Sequence, residues 1–263
     1  MKRPLSLILF FLFSAGQSSG KDISRDFEIV RFSATKPDFS KGIWAFDLQS
    51  DKCNPKTYGD GRGESPCLGG RRSIQIRAPK HVKPGQKAVY SFEIFIPSDF
   101  RYDGDPRYPA FSRLFVTEWK RLKGAKNHLY EMALESHRGA TFERKVCFSP
   151  KEFGKWNTFQ LSINWSGKND GYLEARCNGR VILSRINTQT LIPPDCAAEY
   201  KLQCDPARQN TKPDIMWVIG PNLYGYGKNY RELSHSPPSA FPPFPPNGVK
   251  IMVRNIQVKR TRR

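Results

Sequence analysis

The chain has 263 residues, with 43 Lys and Arg against 24 Asp and Glu, a net charge of +19. That length suffices for one large sandwich with a sizeable core, and no later segment is apolar for long enough to span a bilayer. The charge directs attention to polyanionic partners: acidic polysaccharide, nucleic acid or an anionic surface.

Met1 to Gly20 reads as a secretory signal peptide. Lys2 and Arg3 form its basic start, Leu5 to Phe13 its apolar run, and Ser18 and Gly20 suit cleavage before Lys21. An N-terminal anchor is the other reading of the same run. Cleavage leaves one domain, residues 21–263, secreted or periplasmic, with a charge of +17 once Lys2 and Arg3 are gone. Six cysteines, Cys53, Cys67, Cys147, Cys177, Cys196 and Cys204, fit an oxidising compartment. Sequential pairing is the expectation, because the first and last pairs each fall within one loop-like stretch. No Cys-x-x-Cys occurs, so a zinc site is not expected and no metal is assigned.

In chain order, Phe27 to Phe32 and Ile43 to Leu48 read as opening strands. Asp51 to Gly70 is a loop rich in Gly, Pro and Lys. In Arg72 to Arg77, Ile74 and Ile76 face one way, and Ser73, Gln75 and Arg77 the other. Lys87 to Pro97 places Tyr90, Phe92, Ile94 and Ile96 in a core. Ser112 to Lys120 is the next strand, and His128 to Arg138 another. In the latter, Glu131, Glu135 and His137 share a face, which makes His137 the best histidine for acid–base work. Gly154 to Val181 is a β-meander. Phe159, Leu161, Ile163 and Trp165 alternate with polar residues, Ser166 to Gly171 is a turn, and Asn178-Gly179 is a tight hairpin pair. Leu183 to Pro213 reads as a long insertion, Asp214 to Tyr230 as a strand leading into a Gly/Tyr loop, Leu233 to Asn247 as a proline-rich surface segment, and Val249 to Lys259 as the closing strand. Period-two alternation through the chain predicts an all-β protein: a jelly-roll β-sandwich of two antiparallel sheets.

Several of these stretches carry a resemblance. "GKW … INWS … DGYLEA … NG", "AVYSFEIFIPSDF" and the closing "RNI" are similar to the heparin-lyase-I-like polysaccharide lyases, whose fold is concanavalin-A-like. The resemblance implies a secreted lyase that cleaves a uronate polysaccharide by β-elimination. It places Arg72, Gln75 and Arg77 in the substrate groove, on a strand that reads R-S-E-L-R in the family. Where relatives read Q-W-H, this chain has Glu118-Trp119-Lys120. The family's K-x-G-x-Y strand brings a tyrosine to the groove, and Tyr224 or Tyr226 takes that place, near Asn222 and Lys228. The candidate catalytic residues are therefore Lys120, His137, Tyr224 and Tyr226. The candidate substrate-binding residues are Arg72, Gln75, Arg77, Glu118, Trp119, Glu135, Asn222 and Lys228.

Eliminating across C4–C5 of a uronic acid takes a weakly acidic proton from beside a carboxylate, so that carboxylate needs neutralising and the leaving oxygen a proton. No cofactor is required, although some relatives hold structural calcium. Two other functions fit the same fold. One is a lectin-like module that binds sugar without cleaving it. The other is a glycoside hydrolase, which needs a pair of carboxyl groups. Glu131 and Glu135 lie too far apart along one strand for a retaining pair, and Glu118 on a neighbouring strand is the alternative partner. The hydrolase signature E-x-D-x-x-E is absent. No nucleic-acid motif appears, so nucleic acid is not an expected partner. A monomer is expected.

Overall fold

The structure is a computed structural model describing residues 23–31, 33–52, 71–79, 82–103, 113–121, 128–191, 215–224, 244–245 and 247–261. Among the described residues, fifteen strands run in chain order. They are β1 (Glu28–Ile29), β2 (Asp38–Ser40), β3 (Ile43–Leu48), β4 (Arg71–Ser73), β5 (Ile76–Arg77), β6 (Lys87–Phe95), β7 (Leu114–Arg121) and β8 (His128–Glu135). Then follow β9 (Gly139–Phe142), β10 (Lys145–Phe148), β11 (Trp156–Asn164), β12 (Gly171–Cys177), β13 (Arg180–Thr188), β14 (Ile215–Tyr224) and β15 (Val249–Thr261).

The strands form two sheets with antiparallel pairing throughout. The first runs β1-β5-β14-β7-β8-β9-β10, with β4 also on β14; the second runs β13-β12-β11-β6-β15-β3-β2. This is the expected jelly-roll sandwich. The apolar residues that alternate along β6 and β11 turn inward: Tyr90, Phe92, Ile94, Phe159, Leu161 and Ile163 are all buried. Between the sheets, Trp119 of β7 stacks on Trp217 of β14 with centroids 5.8 Å apart and planes 8° apart. Tyr90 meets both rings edge-on. Each such ring buries some 150–250 Å² of surface, so the aromatic centre dominates the packing.

Three expectations shift. Phe27 to Phe32 contributes only the two-residue β1. Arg72 to Arg77 is split into β4 and β5, because β14 breaks its regular ladder at Gly220-Pro221 and the Ile74 amide bonds the Pro221 carbonyl instead. Gly220 holds φ +122, and a Cβ there would lie 2.2 Å from the Ile74 carbonyl oxygen. Strand β8 ends at Glu135 rather than Arg138, and the chain turns back into the β9–β10 hairpin.

Cys147 of β10 and Cys177 of β12 form a disulfide, Cα atoms 5.3 Å apart, as sequential pairing requires. It ties the end of one sheet to the other and closes a 30-residue separation, which removes roughly 3–4 kcal/mol of unfolded-chain entropy. Cys53, Cys67, Cys196 and Cys204 lie outside the described residues, as does the expected signal segment. A disulfide fits an oxidising compartment. Among the described residues, no helix is long and apolar enough to cross a membrane.

Candidate functional site

The outward face of the first sheet gathers the polar residues. Strand β7 controls which side chains arrive there. Its pairing slips at Val116: Phe115 pairs with Asn222 and Ala133, whereas Thr117 pairs with Ile219 and Met132. The slip turns Phe115 and Glu118 to one side although they are three residues apart, while Leu114, Val116 and Trp119 point into the core. Glu118 then sits in a row across the sheet, Arg77–Val218–Glu118–Glu131, each the direct partner of the next.

At the centre of this face, one oxygen of Glu118 receives three donors. Gln75 Nε2 donates to Oε2 at 2.8 Å, Asn222 Nδ2 at 2.9 Å, and Lys120 Nζ lies 2.8 Å away. Glu118 is fully buried, and the Lys120 side chain keeps 9% of its exposure. Taking a carboxylate out of water costs several kcal/mol unless charge and hydrogen bonds compensate it, and this set supplies both. Lys120 and Glu118 thus stand as a close charge pair, 2.8 Å apart and nearly out of water. Sequence reasoning expected an acid at the position of Gln75 and an amide at that of Glu118. The structure shows those two residues hydrogen-bonded to each other.

A second polar group continues the face toward β9. Arg113 Nη1 donates to Glu131 Oε1, and its guanidinium lies 5.0 Å from the Phe115 ring centroid. Beyond it, burial first and the Glu131 charge second push the Glu143 carboxyl up from its ordinary value. Glu143 and Arg144 both take positive φ in the β9–β10 turn.

The structure brings together Gln75, Glu118, Lys120 and Asn222, and leaves other expected residues elsewhere. Arg77 lies on the same face at the sheet margin, on the far side of β14, roughly 10 Å from Glu118 by strand spacing. There its guanidinium binds Glu28 at 2.7 and 2.9 Å. Glu135 sits at the end of β8, 3.7 Å from Arg138. Arg72 is a correction: it is the partner of Leu223, a core residue, so alternation sends it to the side opposite Ser73 and Gln75. Trp119 is a second correction. It lies between Glu118 and Lys120 on a strand, so it points the other way and is fully buried against Trp217. His137 is a third. It occupies the turn after β8 and is exposed, with Nδ1 2.7 Å from Asp103 Oδ1 and its amide donating to the same oxygen at 3.0 Å. Tyr224 ends β14 as the partner of Arg71, two residues beyond Asn222; Tyr226 and Lys228 lie outside the described residues.

Sequence reasoning missed Arg113 and Glu143 as members of this face, and placed Glu131 on the polar side of its strand. Glu131 was legible through its alternation with Tyr130 and Met132, but its arginine partner comes from the strand before. Two further tyrosines lie in the core and not on this face: burial pushes the Tyr130 phenol up to about 12, and raises that of Tyr90 as well. Among the described residues, no three His, Cys, Asp or Glu side chains cluster as metal ligands.

No protein-family model matches the chain, and no curated protein is similar to it in sequence. Solved structures do share its fold. The endo-β-1,4-glucuronan lyase from the fungus Trichoderma reesei aligns over 89% of this chain and 87% of its own, at 10% identity and a TM-score of 0.52. The alginate lyase vAL-1 from a Chlorella virus aligns over 89% and 91%, at 10% identity and a TM-score of 0.42. The carbohydrate recognition domain of Emp46p aligns over 89% and 88%, at 7% identity and a TM-score of 0.41. At such identities the likeness concerns the sandwich alone, which is what the chain has in common with the glucuronan lyase.

Proposed function

We propose that this chain is a polysaccharide lyase that cleaves a uronate polymer by β-elimination on the outward face of its first sheet. The observation that carries the reading is the buried Glu118 carboxylate with Lys120, Gln75 and Asn222 fixed around it. Fixed donors in a water-poor site stabilise developing charge without reorganising. A basic chain that draws in polyanions supports the same reading, as does the fold it shares with a glucuronan lyase.

Each residue then has a role. Glu118 holds Lys120 and the two amides in place. The Lys120 ammonium pairs with the uronate carboxylate, and the second N–H of Gln75 or Asn222 assists it. Neutralised in this way, the carboxylate tolerates negative charge at C5 as the proton leaves. The C5–H electrons form the C4–C5 double bond, the C4–O bond breaks, and the departing oxygen takes a proton. Tyr224, two residues beyond Asn222, is the proton-transfer group: as the phenolate it takes the C5 proton, and as the phenol so formed it passes that proton to the departing oxygen, ending as it began.

One observation favours a second reading, sugar binding without turnover: Glu118 and Lys120 already neutralise each other. The test is a panel of polyuronates followed by the ultraviolet absorbance of the unsaturated uronate, which only elimination creates. A lyase produces that absorbance on at least one polymer, and Tyr224→Phe lowers kcat by 100-fold or more with binding nearly unchanged. Binding without new absorbance on every polymer overturns the lyase and leaves the sugar-binding module.

A further inference from the structure

The described residues enclose a cleft of about 340 Å³ that takes no part in the Glu118 face, a volume at the small end of the ~300–1,000 Å³ usual for ligand sites. It opens at one end of the second sheet, where β3 and β6 finish and β15 begins. Two β-turns headed by proline form its walls. In one, the Phe100 amide bonds the Pro97 carbonyl at 3.1 Å; in the other, the Gly248 amide bonds the Pro245 carbonyl at 2.9 Å. Gly248 holds φ +72, and a Cβ there would lie 2.6 Å from the Gln49 amide nitrogen, so glycine is what lets this turn close onto the end of β3.

The polar lining is Gln49, Asp99, Arg101, Asn247 and Lys250. Arg101 Nη1 donates to the Phe100 carbonyl at 2.8 Å, which fixes the guanidinium and leaves Nε and Nη2 for a ligand. Among the described residues, no side-chain hydrogen bond or ion pair engages Asp99, Asn247 or Lys250. Asp47, the cross-strand partner of Lys250, accepts instead from Gln49. Three uncommitted polar side chains and an oriented arginine thus converge between proline walls. The lining carries two cations and one carboxylate, so what it lacks is one negative charge, together with groups that both donate and accept.

We propose that this cleft binds a single acidic sugar residue. Arg101 and Lys250 take the carboxylate, Asp99 and Asn247 take ring hydroxyls, and Pro97 lies against the C–H face. Among the described residues the cleft offers one carboxyl, Asp99, where glycoside hydrolysis needs a pair, so it retains a sugar without acting on it. It stands apart from the lyase reading, since binding here is measured without turnover.

The test titrates sodium glucuronate into the ¹⁵N-labelled full chain and follows amide shifts, with neutral cellobiose as the comparison. Saturable shifts at Asn247 and Gly248 with glucuronate, weakened at least tenfold in Arg101→Ala/Lys250→Ala and unchanged in Lys168→Ala, an exposed turn lysine, are the expected result. Lys250→Glu, a surface change that the fold tolerates, weakens binding in the same way. No shift at those amides, undiminished binding in the double variant, or equal binding of cellobiose overturns the proposal.

Discussion

The two sheets present almost the same set of side chains on their outer faces, with different results. On the second sheet, Glu93 accepts from Arg254 at 2.8 Å and from Asn255 at 2.6 Å, and the Arg254 guanidinium lies 4.1 Å from the centre of the Trp156 ring. On the first, Glu118 accepts from Gln75 and Asn222 beside Lys120. Each face has a carboxylate, a cation and amide donors. The Arg254 and Glu93 side chains remain 36% and 24% exposed, whereas those of Lys120 and Glu118 are at 9% and 0%. Water screens the first pair and leaves it replaceable; the second pair is held by geometry alone. Burial, rather than the residue types, marks one face as a candidate site and the other as a surface brace.

The largest effect expected is from Lys120→Met. It leaves the Glu118 carboxylate buried without its cation, at a cost of roughly 3–5 kcal/mol, read from chemical-denaturation midpoints. The matching change on the other face, Arg254→Ala, costs about 1 kcal/mol or less from the ion pair, with a similar amount from its stacking on Trp156. High salt removes the ion-pair part of the Arg254 loss and leaves the Lys120 loss standing. Equal losses in the two variants would erase the distinction between the faces.

The smallest effect sharpens the contrast within the first sheet. Burial and Glu131 raise the Glu143 carboxyl above its unfolded value, so the native chain binds more protons than the unfolded chain between those two values. Stability from this group therefore falls as pH rises through that window, and the ionised carboxyl opposes folding at neutral pH. Glu143→Gln is expected to raise the melting temperature at pH 7 and to do little below pH 4.5, the ordinary value of the group. A gain that is the same at both pH values would show that the carboxyl charge is not the cause.

Much of the scaffold was legible because both faces of each strand obey one period. Strands β3, β6, β7, β11, β12 and β15 fall where alternation puts them, whereas β13 runs to Thr188, into the stretch read as an insertion from Leu183. The β9–β10 hairpin was not legible, since its turn uses Glu143 and Arg144 at positive φ, where Gly or Asn would have announced it. Trp119 was misplaced because the resemblance treats Glu118-Trp119-Lys120 as one motif, whereas a strand divides any three consecutive residues between two faces. Gln75, Glu118 and Lys120 were legible individually, and so was Asn222. Their meeting was not: Gln75 and Glu118 are 43 residues apart, and Glu118 and Asn222 are 104 apart. No local pattern in a single sequence encodes a contact across three strands.

The position of β15 governs when the molecule can exist at all. It lies between β6 and β3 in the middle of the second sheet, pairing with both along its length. A polypeptide emerges N-terminus first, so β3 and β6 must each wait, one edge open, for a partner that is made long after both. Until then the nascent chain has a sheet in two pieces and nothing to join them, which makes folding slow and leaves those edges open to mispairing. Any helper that shields them has to stay bound until Val249 and the residues after it appear.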